Sequence, residues 1–221
     1  MTDKHLSTQF DAELGDISTR VLEMGGLVES QVTQAMYALS QFSGETASQV
    51  LQTEERVNTM EVEIDRDLRL LIAVSKAIAN LERAGDEAAR IARTVQRLIN
   101  TGVSSRLRLP VADLAFGAEL ATAQLRKALD AFARLDTARA LEVLKQDDQI
   151  DQEFDGLLRK LITYMMEDPR TISASIDLVF VAKAIERVGD HAKNLAEAII
   201  YVVKGTDVRH TSVESVESVV R

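Results

Sequence analysis

One fourteen-residue segment occurs twice in this chain, and that duplication constrains the fold more than any other feature. The sequence NLERAGDEAARIAR at residues 80–93 returns as AIERVGDHAKNLAE at residues 184–197. Each copy places a glutamate and an aspartate four positions apart, with an arginine and a glycine between them. Self-similarity at a fixed offset indicates that one structural module is present twice.

The similarity extends over most of each half of the chain. An offset of 93 residues aligns the earlier part of the two halves, and an offset of 104 aligns the segments that contain the motif. The pairs related by 93 are Gln31 and Gln124, Ala35 and Ala128, Ala47 and Ala140, Val50 and Val143, Leu51 and Leu144, and Val57 and Ile150. The first half is therefore 11 residues shorter than the second between Asp65 and Leu68.

Apolar residues recur at three- and four-residue steps through both halves, which predicts three helices in each. The first half has helices over Phe10–Phe42, from Glu45 onwards, and over Leu68–Ile99. The second half has helices from Pro110 to Leu135, from a cap at Asp136 or Thr137 to Asp168-Pro169, and from there to Gly205. Residues 100–110 look like a connection. We therefore predict an all-α protein with a first repeat at 1–104, a second repeat at 105–207 and a tail at 208–221.

The shortfall in the first half removes the turn between its second and third helices. The second half turns at MMEDPR, residues 165–170, whereas the first half has only EVEIDRDLRLL there. Either the two helices fuse, or a segment is missing from this sequence. We favour a missing segment, because a deletion would leave the second helix too short to span its neighbours.

Composition excludes several classes of protein. The chain carries 35 acidic and 26 basic side chains and a formal net charge of −9, so a nucleic acid would be repelled. No apolar run approaches the roughly 20 residues that cross a bilayer, and the N-terminus has no apolar signal core. We therefore expect a cytoplasmic protein without membrane insertion. The absence of cysteine excludes thiolate metal sites, thiol nucleophiles and disulfides.

The repeated acids are candidate metal ligands. Positions i and i+4 share one face of a helix, so Glu82 with Asp86, and Glu186 with Asp190, can converge on one point. A single such pair is usually a solvated face with weak surface ion pairs. Because the pair is duplicated, a cation site is about as well supported as a solvated helix face. The acids are predicted to face away from the core.

Further oxygen ligands occur at matched positions of the two repeats. If the second and third helices of each repeat pack antiparallel, Glu55 and Asn58 join the first pair of acids, and Asp148 and Asp151 join the second. Asn194 is a further candidate, whereas its counterpart Arg90 cannot bind a metal. Hard cations such as Mg²⁺, Mn²⁺ or ferric iron suit such oxygen donors. Gly85 and Gly189 are expected to allow close helix packing.

Three segments together resemble the PhoU family of phosphate-specific transport system accessory proteins. They are MGGLVESQV at 24–32, RDLRLLIAVSKAIANLERAGDEAARIA at 66–92, and DPRTISASIDLVFVAKAIERVGDHAKNLAEAIIYVVKGTDVRH at 168–210. The resemblance implies two tandem, pseudo-symmetric three-helix bundles built from six long antiparallel helices, commonly as a homodimer. It also implies multinuclear metal clusters on the face that carries the motif acids, with iron, manganese, magnesium or zinc as candidates.

The same resemblance implies a regulatory function. Such proteins link the phosphate ABC transporter, through its ATPase subunit, to the phosphate-sensing histidine kinase, and so repress phosphate uptake and the starvation response. We expect this chain to be a non-enzymatic adaptor of that kind. The alternatives are a metal-dependent phosphoester hydrolase and a purely structural helical scaffold. Direct phosphate binding without a metal is not expected, because the acidic sequence shows no arginine cluster.

Overall fold

The protein is all-α in its computed structural model, which describes residues 3–100 and 110–221, with side chains described from residue 12 onwards. The connection predicted at 100–110 lies almost wholly outside the described residues. Six α-helices are present in the described part of the chain, and this confirms the predicted class. They are α1 (Asp3–Gln41), α2 (Gly44–Asn100), α3 (Val111–Arg134), α4 (Thr137–Glu167), α5 (Ile172–Lys204) and α6 (Val213–Val220).

The helix boundaries of the second repeat follow local chemistry that the sequence displays. Asp136 caps α4 by accepting a hydrogen bond from the backbone N–H of Arg139 at 3.0 Å. Asp168 and Pro169 open a short 3-10 turn before α5, and the Asp168 side chain accepts from the backbone N–H of Arg170. Gly205 ends α5 with φ at 70°, a left-handed conformation that favours glycine.

Helix α2 differs most from expectation, because it fuses the predicted second and third helices. It runs without interruption for 57 residues, through EVEIDRDLRLL. That stretch has no proline or glycine to interrupt a helix, so hydrogen bonding continues through it. The argument that a deletion would leave the second helix too short is wrong, since fusion lengthens it. That this sequence lacks a segment stays a prediction.

The chain divides into two compact units, Met1–Ile72 and Ala73–Arg221. The first unit is a helical hairpin of α1 with residues 44–72 of α2, which we call the first hairpin. The amide nitrogen of Gln31 donates to the Val50 carbonyl at 3.1 Å, and Arg20 pairs with Asp67 at 2.5 Å. The division falls inside α2 because the fused helix belongs to both units. It does not test the repeat boundaries at 1–104 and 105–207, which stay a prediction.

The second unit packs α3, α4 and α5 into an antiparallel bundle, with residues 73–100 of α2 and with α6. We call α3 and α4 the second hairpin. Lys160 near the end of α4 contacts Asp113 at the start of α3, which shows the two helices antiparallel. Lys193 of α5 contacts Asp147 of α4, and Lys183 lies over the ring of Phe154, so α5 is antiparallel to α4 as well. The core is built from leucine, isoleucine, valine and alanine side chains.

One hydrogen bond is repeated in both hairpins and confirms their common register. Gln124 donates its amide N–H to the Val143 carbonyl at 3.1 Å, the same distance as between Gln31 and Val50. Both residues of the pair are related by the offset of 93. The alignment inferred from sequence is therefore an alignment in space for these two helices.

Candidate cation site

Four carboxylates of the second unit lie together between α4 and α5, and we call them the carboxylate cluster: Asp147, Asp151, Glu186 and Asp190. On each helix the two acids are four residues apart, so they share a face. Antiparallel packing of α4 against α5 brings those faces together. Asp147 is buried, Glu186 is mostly buried and Asp190 is half-buried.

The electrostatics of the cluster are those of crowded anions. Burial raises the pKa of Asp190, and the nearby charges of Glu186 and Asp147 raise it further. Burial also raises the pKa of Asp151, with Asp147 and Glu186 adding to the effect. The ionised forms of Asp151 and Asp190 are therefore disfavoured by burial and by neighbouring charge, and a bound cation would offset this cost.

Two lysines supply positive charge to the cluster. The Lys193 ammonium donates to Asp147 at 2.5 Å, and the Lys183 ammonium pairs with Glu186. The cluster has the oxygen donors that hard cations prefer. As the side chains are placed, however, no three acidic or histidine groups among the described residues converge closely enough to hold a metal ion. The donor chemistry of the cluster thus fits a hard cation, whereas the side-chain positions do not converge on one.

Gly189 holds the two helices close at the cluster. A Cβ at this position would lie 3.0 Å from the Ile150 Cδ1 atom and 3.1 Å from the Gln124 Oε1 atom. The packing role predicted for this glycine is confirmed. Gly85 has nothing within 4 Å of the corresponding position, so within one copy of the chain the same explanation fails for it.

The candidate acids of the first repeat are divided between the two units. Glu82 and Asp86 are exposed on the part of α2 in the second unit, and Glu55 and Asn58 are exposed on the part in the first unit. The turn expected between these two parts is replaced by continuous helix. That these four residues form one site stays a prediction.

The remaining candidates in the second repeat have different surroundings. Asp148 is exposed, but its charge contributes to the raised pKa of Asp151. The Asn194 amide donates to Asn80 of α2 at 3.1 Å, so Asn194 faces that helix. Asp147 was missed by the sequence analysis, although its spacing of four from Asp151 was the available signal.

The comparisons with known proteins agree with this arrangement of repeats. The family model described as "PhoU domain" matches twice, at residues 21–95 and 117–199. A relative from Burkholderia sp, named as a phosphate-specific transport system accessory protein PhoU homolog, is 48% identical over 97% of this chain and 97% of its own length. The chain belongs to the PhoU family.

Other relatives and solved structures of the PhoU family extend the match. The accessory protein PhoU of Escherichia coli K12 is 40% identical over 94% of this chain and 90% of its own. A crystal structure of PhoU from Pseudomonas aeruginosa is 41% identical, with a TM-score of 0.59 over 89% of this chain and 100% of that one. The regulatory protein PhoU from Streptococcus pneumoniae, at 26% identity, has the same TM-score over 90% and 99%.

The length of one alignment bears on the missing turn. The Burkholderia relative aligns over 228 positions, which exceeds the 221 residues of this chain. At least seven aligned positions of this PhoU relative therefore have no counterpart here. This agrees with the shortfall found by comparing the two repeats.

A groove of about 700 Å³ beside the carboxylate cluster contradicts one expectation from the sequence. Arg83 and Arg90 of α2 and Arg187 of α5 line it, so an arginine cluster is present. Glu87, buried among them, pairs with Arg187 at 3.1 Å and Arg90 at 3.2 Å. Burial lowers the pKa of His191 in this groove, and the charge of Arg83 lowers it further. The sequence could not show this cluster, because the packing of α2 on α5 creates it.

Proposed function

We propose that this PhoU-family chain is a non-enzymatic regulator of phosphate homeostasis. It restrains phosphate uptake, and it represses the phosphate-starvation response by linking the phosphate ABC transporter to the sensor histidine kinase. The observation that carries the proposal is similarity over nearly the whole chain, at 40–48% identity, to proteins named for the phosphate-specific transport system. Similarity of this extent covers the surfaces as well as the core.

The proposed partners are the ATPase subunit of the transporter and the kinase, both reached from the cytoplasm. Long helices offer extended faces for such contacts, and α1 and α2 measure 39 and 57 residues. None of the described helices combines the length and the apolar character that a membrane crossing requires. Contact with membrane-bound partners therefore relies on protein surfaces in this proposal.

The carboxylate cluster is proposed as a cation-responsive part of the regulator. A bound divalent cation would supply positive charge to Asp147, Asp151, Glu186 and Asp190 and offset their mutual repulsion. Magnesium or manganese suits these oxygen donors best, and iron or zinc are further candidates. Binding would release Lys183 or Lys193 from the cluster and so change the charge of the surface near α5.

Deletion and complementation test the proposed function. In a strain that lacks this gene, a phosphate-repressed reporter should become constitutive in phosphate-rich medium, and the intact gene should restore repression. The double variant Glu186→Gln/Asp190→Asn should restore it several-fold less well. A matched control, Glu119→Gln/Asp155→Asn, removes two exposed acids and should restore full repression. A deletion strain that remains repressed at high phosphate would contradict the proposal.

A further inference from the structure

The groove between α2 and α5 lies wholly within the second unit, because all of its lining residues come from Ala73–Arg221. Glu87 of α2 pairs with Arg187 of α5 at 3.1 Å. Asn80, earlier on α2, contacts Asn194, later on α5, also at 3.1 Å. Contacts that advance along one helix while they recede along the other show that the two helices are antiparallel here.

The two helices are also equivalent in sequence, since the offset of 104 relates them. Two equivalent helices that pack antiparallel follow the rule of a two-fold interface, in which a contact from i to j implies an equivalent contact from j to i. Under this offset Arg187 corresponds to Arg83, and Glu87 corresponds to His191. The counterpart of the ion pair between Arg187 and Glu87 is therefore the pair of Arg83 and His191.

The structure places Arg83 and His191 near each other, as the two-fold rule requires. Both line the groove, and after burial the charge of Arg83 is the largest cause of the lowered pKa of His191. The two halves nevertheless differ in charge. Glu87 gives Arg187 a carboxylate, whereas His191 has no carboxylate to give Arg83. No residue in the described part of the chain forms a hydrogen bond or an ion pair with Arg83.

The surroundings of Arg83 indicate which anion suits it. Lys193 and Arg209 add positive charge to the lining of the groove, while Asp86 and Glu197 add negative charge. Asp86 is three residues from Arg83 and so lies beside it on the helix surface, yet the two form no ion pair. A fully deprotonated anion at Arg83 would be repelled by this carboxylate.

An anion that carries its own proton avoids that repulsion. It can accept hydrogen bonds from an arginine and donate its O–H to a carboxylate, which when ionised only accepts. Hydrogen phosphate is such an anion at neutral pH, whereas sulfate has no proton to donate. A mixed lining of arginine and aspartate therefore favours phosphate over sulfate.

We propose that this groove binds inorganic phosphate at Arg83, in the place that the Glu87 carboxylate has beside Arg187. The planar guanidinium of Arg83 donates to two phosphate oxygens, the arrangement that arginine forms with oxyanions. The phosphate O–H donates to Asp86. The site would give the regulator a direct phosphate input, and for this physiological role alone the inference rests on the proposed function.

Titration calorimetry with inorganic phosphate, at neutral pH and with a chelator present, tests the binding. The unmodified protein should bind phosphate and should bind sulfate at least about tenfold more weakly, because one charge-assisted hydrogen bond is lost. Asp86→Asn should reduce this preference, since the carboxylate that repels sulfate is gone. No phosphate binding by the unmodified protein, or equal affinity for the two anions, would overturn the proposal.

His191→Glu is the sharpest variant, because it gives Arg83 the carboxylate that Glu87 gives Arg187. It should fold, as a melting curve will show, and should lower phosphate affinity at least about tenfold. Arg83→Gln should do the same. Arg93→Gln is the matched control, since Arg93 is exposed on the same helix and does not line the groove. If His191→Glu and Arg83→Gln bind phosphate as well as this control does, Arg83 does not hold the anion and the proposal fails.

The deletion strain separates failure of this inference from failure of the proposed function. If the groove supplies the phosphate input, His191→Glu should lose repression of the reporter together with phosphate binding, and Arg93→Gln should keep both. A His191→Glu variant that loses binding but still represses would overturn the phosphate input and leave the proposed function intact. An unmodified gene that fails to repress would remove the proposed function and leave the measured binding in place.

Discussion

The two hairpins of this PhoU-family chain share a register but differ in burial. Gln31 and Gln124 make the same hydrogen bond, and similar apolar residues follow both pairs of helices. In the second hairpin Leu144 is buried, whereas its counterpart Leu51 in the first hairpin is exposed. The connections of the two repeats also differ: Asp168 and Pro169 form a turn in the second repeat, and α2 is continuous in the first. One short connection therefore decides whether the second and third helices of a repeat are separate.

The largest effect is expected from restoring that connection. Replacing Arg66 and Asp67 by residues 159–171 lengthens the first repeat by the missing 11 residues and introduces the turn. A turn at this point would let the third helix of the first repeat pack on the first hairpin, as α5 packs on the second. We expect a higher melting temperature and slower amide hydrogen exchange in residues 44–72 than in the unmodified chain.

A length-matched control separates the turn from the insertion. A 13-residue alanine- and glutamate-rich helical sequence at the same site should keep α2 continuous and leave amide exchange in residues 44–72 unchanged. If both insertions slow that exchange equally, the missing turn does not explain the difference between the repeats.

The repeats, the helical class and most helix boundaries could be predicted from sequence, because each depends on local chemistry. Asp136, the Asp168-Pro169 pair and Gly205 mark helix ends through capping and backbone conformation. The shortfall was also visible. From the sequence alone a missing segment is favoured over fusion of the two helices. In the structure, backbone hydrogen bonding continues through the stretch and the helices are fused.

The second-largest effect on stability is expected from truncating one of two equivalent leucines, Leu144 in the second repeat and Leu51 in the first. Leu144→Ala removes a buried side chain, so the free energy of unfolding should fall by about 2–5 kcal/mol at any protein concentration. Leu51→Ala removes an exposed side chain, so its cost should be small, under about 0.5 kcal/mol.

Urea denaturation of the two variants beside the unmodified protein measures this contrast. Equal losses for Leu144→Ala and Leu51→Ala would show that the first hairpin is covered as well as the second.

Only part of the candidate site could be predicted from the sequence, because the rest depends on packing between helices. Spacing within one helix showed the paired acids, and the offset of 93 indicated which residues of the preceding helix would join them. Packing between helices decided the rest. It placed Asp147 in the carboxylate cluster and put Arg83 and Arg187 in the wall of one groove.

The smallest effect contrasts Asp190 with its exposed counterpart Asp86. Burial raises the pKa of Asp190, with repulsion from Glu186 and Asp147 as a further cause. Between its ordinary and raised pKa, the folded state holds more protons than the unfolded state, so stability falls as the pH rises through that interval. The penalty is complete at neutral pH and disappears below the ordinary aspartate pKa of about 3.9.

Asp190→Asn should therefore stabilise the metal-free protein at neutral pH. Because the side chain is only half-buried, solvent screening limits the gain to about 0.5–1 kcal/mol, or about 1–3 °C in melting temperature. Asp86→Asn, which changes an exposed side chain, should leave the melting temperature unchanged, and the two proteins with and without Asp190 should converge at pH 3. Manganese reverses the order if the cluster binds it: the ion needs the ionised carboxylate, so it should stabilise the unmodified protein more than Asp190→Asn. A loss of stability in Asp190→Asn with chelator present would mean that Lys183 and Lys193 already offset the repulsion among the acids, and that the cluster stabilises the fold without any cation.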